Sequence, residues 1–211
     1  MHYGFIGLGN LGSKLATRLA ENGFTVTGFD LNMRVSDSLV HAGVTFAASP
    51  EELAGSVDHV ITCLPSPDAS SAVLDQILGA MRPDANVIEM STIGRDDAIR
   101  FASLAEGAGV GFLELPVTGG VHLAAVGELT LLAGGPESLM TLHEPALNVM
   151  GNEVIHMGPV GSASLIKVIT NMLALVHLQV CGEALMLASR GGLDLATSWR
   201  AIAASSGNSF V

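Results

Sequence analysis

Gly7-Leu8-Gly9-Asn10-Leu11-Gly12 is the first group of residues in this chain whose types and spacing could do chemistry. The three glycines stand in a G-x-G-x-x-G spacing, after an apolar run (HYGFIG) and at the start of a helix-like one. In that setting Gly7 permits a tight turn, Gly9 lets the backbone approach a pyrophosphate, and Gly12 lets helix and strand pack closely. The helix N-terminus adds N–H groups and the positive end of its dipole, both favourable to an anion. Asp30 closes the next apolar run, FTVTGFD, 18 positions after Gly12. A carboxylate there accepts hydrogen bonds from a ribose 2′-hydroxyl and repels a 2′-phosphate, which predicts NAD rather than NADP. Arg34 nearby keeps NADP open. The bland alternative is a glycine-rich turn and a surface aspartate.

Three more groups carry chemistry further along. Leu64-Pro65 and Ser91-Thr92 end the apolar runs 57–64 and 84–91. Ligands of open α/β sheets bind outside the carboxyl ends of the strands, so Leu64, Pro65 and Thr92 are expected beside a cofactor; a plain loop is the alternative for Leu64-Pro65. Thr118-Gly119-Gly120 follows the run 109–116. Successive N–H groups of a glycine turn form an anion-binding nest, and a carboxylate held there would also meet the Thr118 hydroxyl. The alternative is a simple turn into a helix. Lys167 and Asn171 are four apart in a helical run of Ile, Val, Leu and Met, hence on one helix face. A lysine there is costly unless it is paired or its pKa falls, and a lowered pKa suits proton transfer. The competing reading is a lysine that snorkels from near a helix start.

The elements that must position these groups alternate. Strands are expected over 2–7, 24–30, 57–64, 84–91 and 109–116, with helices near 50–55, 68–81 and 94–107, and shorter strands over 129–135 and 153–158. Such alternation makes βαβ units and a doubly wound, mostly parallel α/β sheet of the Rossmann type, assigned to residues 1–160. From 162 to 190 the pattern is one helix about 40 Å long. Gly191-Gly192 stops it, and LDLATSWRAIAASSG begins another, so 161–211 reads as an interdomain helix plus the start of an all-α domain.

Composition narrows the class. The 211 residues are 49% hydrophobic and 14% charged, enough for a sizeable core. A net charge of −11 with nine Lys and Arg in all argues against a nucleic-acid partner and an anionic membrane surface. Residues 165–188 are long enough for a membrane span, but Lys167, Asn171, His177, Gln179 and Glu183 interrupt them. They are expected as a helix buried between two packed units of a soluble protein. Cys63 and Cys181, far apart, read as buried thiols of a reducing compartment, and no leader precedes the first strand, so a cytoplasmic location is expected. His122, His143, His156 and His177 have no ligand spacing, which predicts no metal site. Met33, Met81, Met90, Met140, Met150 and Met157 are expected to fill gaps in the core, and Trp199 to pack.

Taken together, GFIGLGNLG, CLP with STI after it, ELPVTGG…GELTLLAGG and GSASLIKVITN resemble, in order and over essentially the whole chain, the β-hydroxyacid dehydrogenase family, typified by 3-hydroxyisobutyrate dehydrogenase. The resemblance implies a 6-phosphogluconate dehydrogenase-like oxidoreductase acting on a small carboxylate-bearing substrate. It implies Lys167 as general acid/base, taking the hydroxyl proton as hydride leaves for NAD, with Asn171 holding the substrate or the lysine. Thr118, Gly119 and Gly120 would grip the carboxylate, and Leu64, Pro65 and Thr92 would line the cofactor side.

Three departures stand out. Thr118 replaces the usual serine, and Glu114-Leu115 the usual Asp-Ala, a change expected to affect packing more than chemistry. Members also continue into a further helical domain, which this chain is expected largely to lack; its long apolar helix would then favour a homo-oligomer, a dimer or tetramer. Imine-reductase-like activity, or a dinucleotide-binding module without turnover, are the alternatives. 3-Hydroxyisobutyrate, tartronate semialdehyde, L-serine, threonate and phenylserine-like acids all fit the pattern.

Overall fold

Short apolar runs between glycine and proline turns become strands buried on both faces. The computed structural model describes residues 1–32 and 37–209, so Met33 and Arg34 lie outside the described residues. β1 (His2–Ile6), β2 (Thr25–Phe29), β3 (Thr45–Phe46), β4 (His59–Thr62), β5 (Asn86–Glu89) and β6 (Gly111–Glu114) are joined in parallel, in the spatial order β3-β2-β1-β4-β5-β6. The order reverses between β1 and β4, which opens a crevice at their carboxyl ends. Beyond β6 the sheet changes sense. β8 (Leu129–Gly134) runs antiparallel to β6 and to the two-residue β7 (Val117–Thr118), and β9 (Gly151–Gly158) pairs parallel to β8. The sheet is therefore mixed and mostly parallel, the Rossmann-type arrangement expected.

Two apolar layers cover it. On one face α1 (Gly12–Glu21) and α7 (Glu137–Met150) bring Leu15, Leu19, Ala146, Leu147 and Met150 against Tyr3, Phe5, Ile61 and Leu131. On the other, α3 (Pro50–Ser56), α4 (Pro67–Ile77) and α5 (Arg95–Gly107) bring Leu53, Leu74, Ile77 and Phe101 against Ile6, Val60, Val87 and Phe112. Local signals start these helices. Ser49 and Ser66 accept from the amides of Glu52 and Ala69, each at 3.2 Å, and a proline follows each serine. Three helices escape the sequence reading: α2 (Asp37–His41) and α6 (Gly120–Val126) are short, and α7 carries Pro145 in its interior.

The chain divides into two compact units, Met1–Lys167 and Val168–Val211. α8 (Ser162–Arg190) starts in the first, and α9 (Leu195–Ala203) belongs to the second. Here the expectation of a buried helix is wrong: no described residue from 168 onward is buried. Leu175 is 67% and Leu187 73% exposed, and Trp199, expected to pack, is 49% exposed. Cys181 is only partly covered. Apolar periodicity records that a surface wants cover without saying what covers it, and among the described residues α9 is the only other helix of this unit. Among the described residues, α8 is the one helix long and apolar enough, by length and composition, to cross a bilayer.

At the amino edge of the sheet, opposite the crevice, lies a buried polar cluster. The Tyr3 hydroxyl is 3.0 Å from His143 Nδ1, and the His143 ring meets the His59 ring edge-on at 4.6 Å. Asn86 Nδ2 lies 3.0 Å from His59 Nδ1, and His143 Nε2 is buried with no hydrogen-bond partner. Burial, then the neighbouring His59, lowers the His143 pKa from 6.5 to about 4, and burial also lowers that of His59. Both rings are neutral in the fold at neutral pH.

Between those two pKa values for His143 the unfolded chain binds a proton that the fold refuses, so stability falls as pH drops from 6.5 toward 4. His143 alone is expected to remove about 2 kcal/mol between pH 7 and pH 5. Denaturant titrations should show this loss, and His143→Leu should flatten it; an unchanged slope in the variant would assign acid sensitivity elsewhere.

Candidate functional site

The glycine turn after β1 is held from two sides. Gly7 has φ +95°, and a Cβ there would collide with the Cys63 carbonyl at the end of β4. A Cβ on Gly12 would strike the Gly7 carbonyl, so α1 rests directly on the turn. Gly9 differs: a Cβ there would meet no protein atom within 4 Å, so packing does not explain the bare position. Asn10 is exposed, Leu8 buried and Leu11 half-buried, and Leu11 caps α1 without any side-chain hydrogen bond. Asp30 closes the arrangement, its Oδ2 accepting from the Leu8 amide and its Oδ1 from that of Asn32, both at 2.7 Å. The aspartate thus ties the end of β2 to the glycine turn, and it retains lone pairs for further donors.

The neighbouring strand ends supply the next wall. Leu64 is half-buried, Pro65 and Thr92 are exposed, and Ser91 between them is buried. The Leu64 amide donates to Ser91 Oγ at 2.8 Å, which joins the turn after β4 to the turn after β5. Cys63 sits beneath with its thiol pushed up to about 12 by burial, which leaves it protonated and unreactive.

Thr118 ends β7, paired with Thr130 of β8, and is half-buried. Gly119 and Gly120 follow with φ of +124° and +82°, a conformation that side chains resist. A Cβ on Gly119 would also press on Leu123. The pair turns the chain into α6 with no side-chain cap on its first amides.

Glu114, last residue of β6, was read as a packing change and proves to be the anchor of α8. It is wholly buried. Its Oε1 accepts from the amides of Gly161 and Ala163 at 2.7 and 2.9 Å; its Oε2 accepts from the Ser164 amide at 3.2 Å and hydroxyl at 2.6 Å. The first turn of α8 and its dipole therefore solvate a carboxylate inside the protein. A Cβ on Gly134 of β8 would collide with it, so Gly134 must be bare. Lys167 follows Ser164 by one turn, half-buried, with burial lowering its pKa. Asn171 lies on the same helix within the second unit, partly exposed. The first unit thus carries the glycine turn, Asp30, the two strand-end turns, Thr118–Gly120 and Lys167.

Sequence reasoning names Glu114 and Ser91 without these hydrogen-bonding roles, and it passes over Glu89, the buried last residue of β5. A signal existed: an acid ends each of the apolar runs ANVIE and GFLE, where a buried strand has little use for one. Among the described residues no group of three His, Cys, Asp or Glu side chains is placed to hold a metal.

A family profile described as "NAD binding domain of 6-phosphogluconate dehydrogenase" matches residues 2–158, and one described as "NAD-binding of NADP-dependent 3-hydroxyisobutyrate dehydrogenase" matches 161–211. A probable 3-hydroxyisobutyrate dehydrogenase of Mycobacterium tuberculosis is 35% identical over 97% of this chain and 69% of its own length. The 2-(hydroxymethyl)glutarate dehydrogenase of Eubacterium barkeri is 30% identical over 98% of this chain and 70% of its own. The solved structure of M. tuberculosis 3-hydroxyisobutyrate dehydrogenase with L-serine superposes with a TM-score of 0.92 at 33% identity, covering 99% of this chain and 72% of that one. The chain thus spans about seven tenths of the length of these relatives.

Removing the Glu114 carboxylate leaves buried amides without an acceptor, at a cost of about 3 kcal/mol or more. Glu114→Ala is expected to lower unfolding free energy by that amount in urea titrations, and Glu114→Gln by a smaller one. A loss under about 1 kcal/mol in both would show that water replaces the cap.

Proposed function

Because this chain belongs to the 3-hydroxyisobutyrate dehydrogenase family of NAD(P)-binding oxidoreductases, we propose that it oxidises the hydroxyl group of a small β-hydroxy acid, or reduces the matching aldehyde, with NAD as hydride carrier. Residues 1–160 form the dinucleotide-binding part in this reading and 161–211 the helical part.

The residues fit the cofactor. Gly7–Gly12 would hold the pyrophosphate, since the bare Gly9 has no packing reason and α1 starts without a side-chain cap. Asp30 would take the ribose hydroxyls and disfavour a 2′-phosphate. Leu64, Pro65 and Thr92 would line the cofactor side. Thr118, with the left-handed Gly119-Gly120 pair, would grip the substrate carboxylate through a hydroxyl and backbone amides.

One observation carries the chemical assignment: Lys167 is half-buried and its pKa is lowered by that burial. A lower pKa enlarges the neutral fraction near pH 7, and a neutral amine accepts the proton of the substrate hydroxyl at Nζ. In the reverse direction the same Nζ returns it. Asn171, four residues on, would orient the substrate or the lysine. A cytoplasmic location, away from membranes and nucleic acid, is part of the same proposal, on the net charge of −11 with nine Lys and Arg. The proposal also pairs copies as a dimer or tetramer through the apolar residues that α8 exposes, Leu175 and Leu187 among them.

Lys167→Ala should keep the dissociation constant for NADH while turnover of 3-hydroxyisobutyrate or L-serine falls by about 10²–10⁴. Unchanged turnover would remove Lys167 from the chemistry. If NADH binds and no panel of 3-hydroxy acids reacts, a binding module without turnover replaces the enzyme. Asp30→Ala should shrink the preference for NADH over NADPH about tenfold, worth about 1.4 kcal/mol; a wild-type protein that binds NADPH more tightly contradicts the role given to Asp30.

A further inference from the structure

Between the two strand-end turns lies a buried carboxyl group that the proposed reaction does not use. Glu89 is wholly buried at the end of β5. Its Oε1 accepts from the Ser91 amide at 2.8 Å, and its Oε2 is buried with no hydrogen-bond partner. Ser91 Oγ accepts in turn from the Leu64 amide at 2.8 Å and from Ser70 Oγ at 3.3 Å. A short relay of polar groups therefore runs from buried Glu89 through buried Ser91 to half-buried Leu64. Its two surface outlets are Leu64-Pro65 and Thr92.

We propose that Glu89 is a positioning residue for the dinucleotide, fixing through Ser91 the spacing between the turn after β4 and the turn after β5. This rests on the reading of those turns as cofactor contacts. The geometry asks for an acceptor at Glu89, since the Ser91 amide needs one. It does not ask for a charge. Glu89 and Glu114 are register partners on adjacent strands, and parallel register partners point to the same face. Glu114 has four donors, whereas Glu89 has one close amide, with the Ser91, Ser70 and Thr62 hydroxyls nearby. Burial raises the Glu89 pKa, with the Ser91, Ser70 and Thr62 hydroxyls pulling the other way. Glutamine reproduces the shape of a neutral carboxyl and keeps the acceptor.

NADH titrations of the full chain, followed by nucleotide fluorescence, test this in wild type, Glu89→Gln, Glu89→Ala, Ser91→Ala and the Glu89→Ala/Ser91→Ala double variant. Members of one relay are not additive. Each alanine variant is therefore expected to weaken NADH about tenfold and the double variant no more than either, while Glu89→Gln stays within about threefold of wild type. Circular dichroism keeps folding separate from affinity; should Glu89→Ala not fold, Ser91→Ala and Glu89→Gln decide. Alanine variants that bind NADH as wild type does, or losses that multiply in the double variant, overturn the proposal. A tenfold loss in Glu89→Gln overturns it as well. If wild type binds no NADH, the assignment of the turns fails and the proposal with it. Wild-type binding with indifferent variants removes Glu89 alone.

Discussion

A carboxylate without water must find donors, and the rest of the site depends on where Glu114 finds them. The middle of a parallel sheet offers none, because its amides are spent on neighbouring strands. The first turn of a helix does offer them, since those amides have no partner within the helix. Glu114 therefore fixes the start of α8 to the end of β6 by four hydrogen bonds. Gly134 must stay bare to make room, and the position of Lys167 along the helix follows from the position of Ser164. A residue that touches no ligand thus sets where the proposed proton carrier can be.

The two edges of the sheet handle polar groups differently. At the amino edge, Tyr3, His59, Asn86 and His143 form a cluster of neutral groups, stable because none is ionised in the fold. At the carboxyl edge, acids stand at the ends of three parallel strands: Asp30 just after β2, Glu89 on β5 and Glu114 on β6. Each takes an amide from a turn or helix start, and those amides belong to Leu8, Ser91 and Gly161. One device, a carboxyl oxygen on a backbone N–H, is used three times to hold the loops that border the crevice.

Much of this was legible in the residues, for identifiable reasons. The parallel strands announced themselves because buried strands are continuous apolar runs, and the glycine turn because its spacing, its strand, its helix and Asp30 occur together. The reversal of sense at β7 and β8 was not legible, since two residues of strand carry no periodicity. α7 was hidden by Pro145. Exposure along α8 could not be read either, because an apolar helix looks the same in sequence whether it is covered or bare. Glu114 was seen as a substitution and misjudged in weight. Its four donors, on Gly161, Ala163 and Ser164, lie about fifty positions away, and only the folded chain brings them together.

That separation has a consequence for the order of assembly. The bonds from Glu114 to α8 span 47–50 residues, whereas those that build α8 itself span a single turn. Contacts that close such long loops cost more chain entropy to reach than those within a helix. α8 can therefore wind from local bonds alone, but it is seated only when β6 and the start of α8 have met. Interactions absent from the transition state govern escape from the fold rather than entry into it. If the Glu114 clasp forms after that barrier, it is a latch on the lifetime of the folded protein and leaves the speed of its formation largely untouched.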